Sequence, residues 1–200
     1  MNLFDLHIHS NFSFDCDVPV ENIVEKLIKK GYTGFSITDH NTIKHLEYIE
    51  RLNIKELIFV PGFEWTVDGF DLLCYNIRDL PPDNISLTEV IEWVKSRGGK
   101  IVLAHPARYL IEITSSLLSI VDGLELINRR YSRLATEFEN RYHINFQGWC
   151  KKQEKALFGN SDAHTLKDLG MVGTYIPARN LDEFVWAVEN RLCFPVEKSL

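Results

Sequence analysis

Cysteine is scarce in this 200-residue chain. Cys16, Cys74, Cys150 and Cys193 lie far apart with no C-x-x-C pair. That spacing excludes a small disulfide scaffold and a zinc ribbon, and reads as reduced thiols in a cytoplasmic protein. Cationic excess is also missing: 22 Lys and Arg face 28 Asp and Glu, a formal charge of −6, which argues against a protein that coats nucleic acid or a membrane surface. No 18-residue apolar run occurs, and the opening "MNLFDLHIHS" has no basic leader; the expectation is a chain without signal peptide or membrane span. Neither G-x-G-x-x-G nor G-x-x-x-x-G-K-[ST] is present, so neither a dinucleotide fingerprint nor a P-loop is expected. Internal repeats and low-complexity stretches are absent too, and "LPPDN" at 80–84 is a turn rather than a domain linker.

What remains is the composition of a globular protein, 45% hydrophobic and 25% charged, in one expected domain spanning 1–200 that buries roughly 70% of its unfolded surface. A first strand is expected around 2–9. A helix over 19–30 follows, with Val20, Ile23, Val24, Leu27 and Ile28 at helical spacing between Pro19 and Gly31. Strands are expected at 34–38, 56–62, 70–76 (after a turn at Asp68-Gly69), 100–104, 124–127, 156–160 and 171–176. Helices are expected at 42–52, after the capping box Ser86/Glu89, near 114–121, as one long polar helix over 132–153 with Leu134, Phe138 and Tyr142 inward, and after Asn180/Glu183. The alternation favours a mostly parallel sheet closed, or nearly closed, into a barrel, with an open doubly wound sheet as the alternative.

The polar residues fall at strand ends. In "DLHIHSNFSFD" (5–15), period-2 alternation turns Asp5, His7 and His9 to one face and Leu6 and Ile8 to the other. Paired imidazoles on one face suit a divalent metal; the bland alternative is a polar face bonded to water. "TDHN" gives Asp39 and His40, "PGFEWT" Glu64, "AHPARY" His105 and Arg108, "NRRY" Asn128, Arg129 and Arg130, and "NSDAH" Asp162 and His164. Carboxyl ends of strands are where barrels and parallel sheets build active sites. Imidazole with carboxylate suits zinc, manganese or iron, and the number of donors fits two or three ions better than one.

This set of motifs resembles the polymerase and histidinol phosphatase (PHP) family of metal-dependent phosphoesterases over essentially the whole chain. The resemblance implies a distorted (β/α)7 TIM-like barrel with a di- or trinuclear centre. It implies that His7, His9, Glu64 and Asp162 hold one ion, that Glu64 bridges to a second held by His105, and that Asp15, His40 and His164 hold a third. Family members often carry a histidine at the start of the strand after the bridging Glu. Here "GFDLLCYNI" offers Asp71, either a ligand or a surface acid at a strand end. Cations would lower the pKa of a shared water towards neutrality and so supply a nucleophile. About −3 from Asp15, Glu64 and Asp162 against about +6 from three dications leaves a site that attracts anions. Arg108 and one of Arg129 and Arg130 are the expected phosphate clamps, and "AHPxRY" also resembles a subgroup acting on small phosphorylated nucleosides. Asp39 and Asp5 are expected to orient ligands rather than bind metal, Cys16 to stand aside, Phe63 and Trp65 to fill the core, and His45 and His143 to lie on solvated helix faces. The expected activity is hydrolysis of a small phosphomonoester, such as a nucleotide or a histidinol-like phosphate. A phosphodiesterase or nuclease acting on nucleic-acid ends and a silent metal-stabilised module are the alternatives, and no basic stripe with interleaved aromatics supports stable nucleic-acid binding.

Overall fold

The computed structural model describes residues 1–109 and 112–198, apart from the side chains of Phe138 and Tyr142; the inward packing expected of those two rings thus lies outside the described residues. Among the described residues, ten strands form two five-stranded sheets. The first has the order β10 (Phe194–Glu197), β9 (Val172–Ile176), β1 (Asn2–Asp5), β2 (Gly34–Phe35), β3 (Ile58–Phe59). The second runs in chain order: β4 (Gly62–Val67), β5 (Phe70–Tyr75), β6 (Lys100–Leu103), β7 (Gly123–Asn128), β8 (Ala156–Asn160).

One expectation is corrected here, and barrel closure is not shown. Pairing is not mostly parallel: β1–β2, β2–β3, β6–β7 and β7–β8 are parallel, whereas β1–β9, β9–β10, β4–β5 and β5–β6 are antiparallel. Nor does one continuous ladder close a (β/α)7 barrel among the described residues. Isolated bridges, Ile8 with Ala163 and His40 with Glu64, link the sheets. At the β8/β9 seam the Thr174 hydroxyl stands in for a backbone ladder, accepting from Gly159 N–H at 2.8 Å and donating to its carbonyl at 2.9 Å.

The antiparallel step arises locally. Asp68 (φ 49°) and Gly69 (φ 82°) form a two-residue turn with both φ positive, the geometry that continues strand twist through a tight hairpin. "GFEWT" is therefore strand β4 and not the loop after a strand, and it sets Glu64 opposite Leu73.

One apolar cluster, including Phe4, Leu6, Leu73, Tyr75, Val102 and Phe158, fills the space between the sheets, and α7 (Leu181–Glu189) adds Phe184 to it. On the outer faces, α1 (Val20–Lys29) and α2 (Lys44–Leu52) cover the first sheet. The second is covered by α3 (Leu87–Ser96), α4 (Ser115–Ile120) and α6 (Phe146–Lys152). The Ser86/Glu89 capping box and the Asn180 cap form as expected. The long helix expected over 132–153 is two. After α5 (Ser132–Tyr142), His143 turns left-handed at φ 56° and Asn145 caps α6 by accepting from Gly148 N–H. All four cysteines are free and buried. No helix of the described residues is long and apolar enough to cross a membrane.

Candidate metal centre

Beyond Asp5 the first strand runs on without ladder pairing, still alternating, so that His7 and His9 point to the polar side while Leu6 and Ile8 enter the two cores. Three further segments arrive at the same end of the sheets. Glu64 projects from β4, His105 follows β6, and Asp162 and His164 follow β8. His105 (φ 31°) and Asp162 (φ 51°) both occupy left-handed backbone conformations, which turn the chain at the strand ends.

These donors fall into three groups. In the first, His7 Nε2 lies 3.2 Å from Glu64 Oε2 and 3.5 Å from Asp162 Oδ1, and His9 Nε2 lies 3.2 and 3.4 Å from the same two oxygens. A tetrahedral ion with bonds of about 2.0–2.1 Å needs donors about 3.3–3.4 Å apart. Those four nitrogen–oxygen separations match that spacing, with Glu64 standing beside the His7, His9 and Asp162 group. In the second group His105 Nε2 is 3.3 Å from Glu64 Oε1 and 3.8 Å from Asp71 Oδ2. In the third, Asp15 Oδ2 lies 2.9 Å from His164 Nε2 and 3.4 Å from His40 Nε2, and His9 belongs to this group as well. Both His9 nitrogens and His105 Nδ1 are buried with no hydrogen-bond partner, an arrangement costing about 1–3 kcal/mol per group unless something else satisfies them. Soft-to-borderline nitrogen donors, hard carboxylates and orphaned ring nitrogens together fit divalent cations.

The electrostatics agree. Burial alone would raise Glu64, but His7, His105 and His9 outweigh it and hold its carboxyl well below the ordinary range. Burial likewise opposes charge on His9, yet contacts with Asp162 and Glu64 push it up to about 9. His40 and His164, nearer the mouth, are lowered chiefly by burial.

The opening is a cleft of about 390 Å³ whose lining includes Phe14, His40, Asp71, Arg108, Arg130 and Tyr131. Arg108 donates to Asp71 Oδ2 at 2.9 Å, and the same oxygen accepts from the Tyr109 hydroxyl at 2.6 Å while Oδ1 accepts from Thr66. Asp71 is thus a buried acceptor tied to three donors, not a surface acid. Of the arginine pair, Arg130 lines this cleft and Arg129 does not; the Arg129 backbone N–H bonds Asn160 instead.

Other placements depart from expectation. His45 is fully buried, not solvated, with Nδ1 3.0 Å from Asp39 and Nε2 bonded to the Gly62 carbonyl. Asp39 also accepts from the backbone and hydroxyl of Ser10, so it anchors the chain beside His9. Asp5 accepts from Ser161 N–H and braces the Asp162 segment. Cys16 Sγ lies against the carbonyls of His9 and His164. Phe63 is core and Trp65 packs against it. Sequence reasoning named Asn128 at the end of its strand but missed Glu125 and Asn160; both asparagines donate to Glu125 beneath the ligands. The signal available was an acid inside the apolar strand "GLELIN".

The PHP domain model matches residues 5–185. The chain belongs to the PHP family. This PHP domain is 31% identical over 132 residues to a Thermotoga maritima protein described as a probable histidinol-phosphatase, an overlap covering 54% of this chain and 57% of that one. It is 28% identical over 138 residues to an uncharacterized Methanocaldococcus jannaschii protein, covering 62% of this chain and 80% of the relative. Among solved structures it resembles PsfC from Pseudomonas syringae, with TM-score 0.73 and 14% identity over 100% of this chain and 93% of that one. It also resembles a two-domain Bacteroides vulgatus protein described as containing a predicted PHP-like metal-dependent phosphoesterase, with TM-score 0.70 and 18% identity over 98% of this chain and 64% of that one. At those identities the solved structures show the shared fold. The chain spans little more than half of the Thermotoga relative and under two thirds of the Bacteroides one.

Proposed function

We propose that this PHP domain hydrolyses small phosphomonoesters using two or three divalent cations, zinc, manganese or iron. The observation that carries the reading is the spacing of the first donor group, where the His7 and His9 Nε2 atoms each stand 3.2–3.5 Å from carboxylate oxygens of two other segments, Glu64 and Asp162. His7, His9, Glu64 and Asp162 would hold one ion, Glu64 with His105 and Asp71 a second, and Asp15, His40 and His164, with His9, a third. Once bound, such ions supply a water acidified towards neutrality and positive charge for phosphate oxygens.

The chain's own residues do the rest. Burial lowers His40 and His164, so both imidazoles are neutral near pH 7 and offer lone pairs. Glu64 and Asp162 stay ionised and acceptor-only. Arg108 and Arg130 reach the cleft from two directions and suit the non-bridging oxygens of a phosphate. A cleft of about 390 Å³ suits a small ester, and a soluble metabolite is the proposed partner in a cytoplasmic setting. The chain's acidic balance supports this over a polymer substrate.

The test measures metal content together with turnover of p-nitrophenyl phosphate and bis(p-nitrophenyl) phosphate, for wild type and for His7→Ala/His9→Ala. Wild type is expected to retain divalent metal and to favour the monoester. The double variant is expected to lose the first ion and at least 100-fold of the rate. Full metal content in the double variant refutes the assignment. A metal-loaded wild type inert towards both esters is a silent module, and preference for the diester moves the reading to a phosphodiesterase.

A further inference from the structure

We infer that Glu125, on β7, is a positioning residue for the metal centre: its one carboxylate fixes the ring of His7, the backbone of His105 and, through Asn128, the carboxylate of Asp162. The inference rests on the metal-binding reading above.

Glu125 is 1% exposed and belongs to none of the three donor groups. Oε1 lies 3.1 Å from His7 Nδ1 and accepts from Asn160 Nδ2 at 2.9 Å; Oε2 accepts from the His105 backbone N–H at 2.8 Å and from Asn128 Nδ2 at 2.7 Å. The amide orientations are not free choices. Asn160 Oδ1 accepts from the Leu6 backbone N–H and Asn128 Oδ1 from that of Tyr131, which leaves both NH2 groups for Glu125. With three obligate donors around it, the carboxylate is an acceptor, so the proton between it and His7 sits on Nδ1. In the neutral ring that a metal ligand requires, His7 Nε2 is then the bare nitrogen, turned towards Glu64 and Asp162. Asn128 also reaches Asp162 Oδ2 at 3.2 Å. The bond to the His105 N–H holds a residue whose left-handed φ of 31° needs support. Outer carboxylates that orient ligating histidines in this way set metal affinity as much as the ligands do.

Glu125→Gln keeps the shape and replaces one of the two acceptor oxygens by an NH2 donor. Whichever way the new amide turns, its NH2 faces two N–H groups. Zinc affinity, measured by chelator competition, is expected to fall 10–100-fold. In 15N NMR of the zinc-loaded protein, wild-type His7 is expected to show a protonated Nδ1 and a coordinated Nε2, and the variant to lose that pattern. The Asp15–His40–His164 group, which does not touch Glu125, is expected to keep its imidazole shifts, whereas general loosening would move all of them. Wild-type affinity in the variant overturns the inference and leaves the metal reading standing. A wild-type protein that binds no zinc removes both. If the variant does not fold, the wild-type spectrum alone decides: a protonated His7 Nε2 overturns the proposal, and a protonated Nδ1 supports it.

Discussion

Arg108 is 46% exposed, yet it is aimed: its guanidinium bonds Asp71 and lies 5.6 Å from the Tyr131 ring centre. A phosphate entering the cleft competes for the same donors, and a charge-assisted bond of this kind contributes about 1.5–3 kcal/mol. Arg108→Ala is therefore expected to raise KM for a phosphomonoester about 10–100-fold while metal content stays at the wild-type level. Steady-state kinetics beside metal analysis checks this; unchanged KM removes Arg108 from the clamp. Residues of this class were legible because their chemistry is written in type and spacing. Period-2 alternation alone sends His7 and His9 to one side, and His40, Glu64, His105, Asp162 and His164 stand at strand ends in the sequence, whereas the grouping with Asp15 and Asp71 came from the family resemblance. Glu125 was not legible, because its role lies in which donors surround it. The same applies to His45, whose burial comes from the Asp39 and Gly62 contacts across the fold.

Elements were legible where the signal was local. The amphipathic stripe of α1, the Ser86 and Asn180 caps and the Asp68-Gly69 turn all formed where the residues put them. Partner direction was not legible, since an apolar strand reads the same beside a parallel or an antiparallel neighbour. Hence β5 passed for a member of a parallel sheet, β4 for the loop after a strand, and β10, with its exposed Phe194, passed unread. The long helix failed at Asn145, a good N-cap inside a stretch whose polar periodicity continued across it. Close packing of elements gives a sharper test. A Cβ on Gly34 would stand 2.0 Å from Cε1 of Phe4, whose ring is fully buried across the β1–β2 pairing. Gly34→Ala must displace that ring, at a cost of about 1–3 kcal/mol. Urea unfolding reads this as a lower midpoint with unchanged slope, and a shift under about 0.5 kcal/mol would mean that β1 and β2 are less tightly apposed.

The whole molecule must stabilise buried charge of both signs, and how it does so depends on pH. His9, raised to about 9 in the metal-free protein, contributes stability that is complete below 6.5 and lost as pH climbs through 9. Burial raises Asp5 to about 7 against its bonds to Ser161, so its protonated form favours folding and that contribution fades between about 4 and 7. Glu64 and Asp162, both lowered, act oppositely, and only in acid, where protonating them costs stability. His40 and His164, lowered by burial, add stability as pH rises towards 6.5, so the metal-free protein is expected to weaken from about pH 6.5 towards pH 9, as His9 loses its proton. Cations reverse the trend, because the same imidazoles must shed protons to become ligands, so binding tightens as pH rises. Since stabilisation by a ligand grows with the logarithm of its concentration over Kd, the rise in Tm on adding zinc should be small at pH 5.5 and large at pH 8.5. Thermal melts in chelator and in zinc across that range measure it. A zinc-induced shift that is flat with pH, or a metal-free Tm that climbs from pH 6.5 to 9, would mean that buried protons are not what the cations replace.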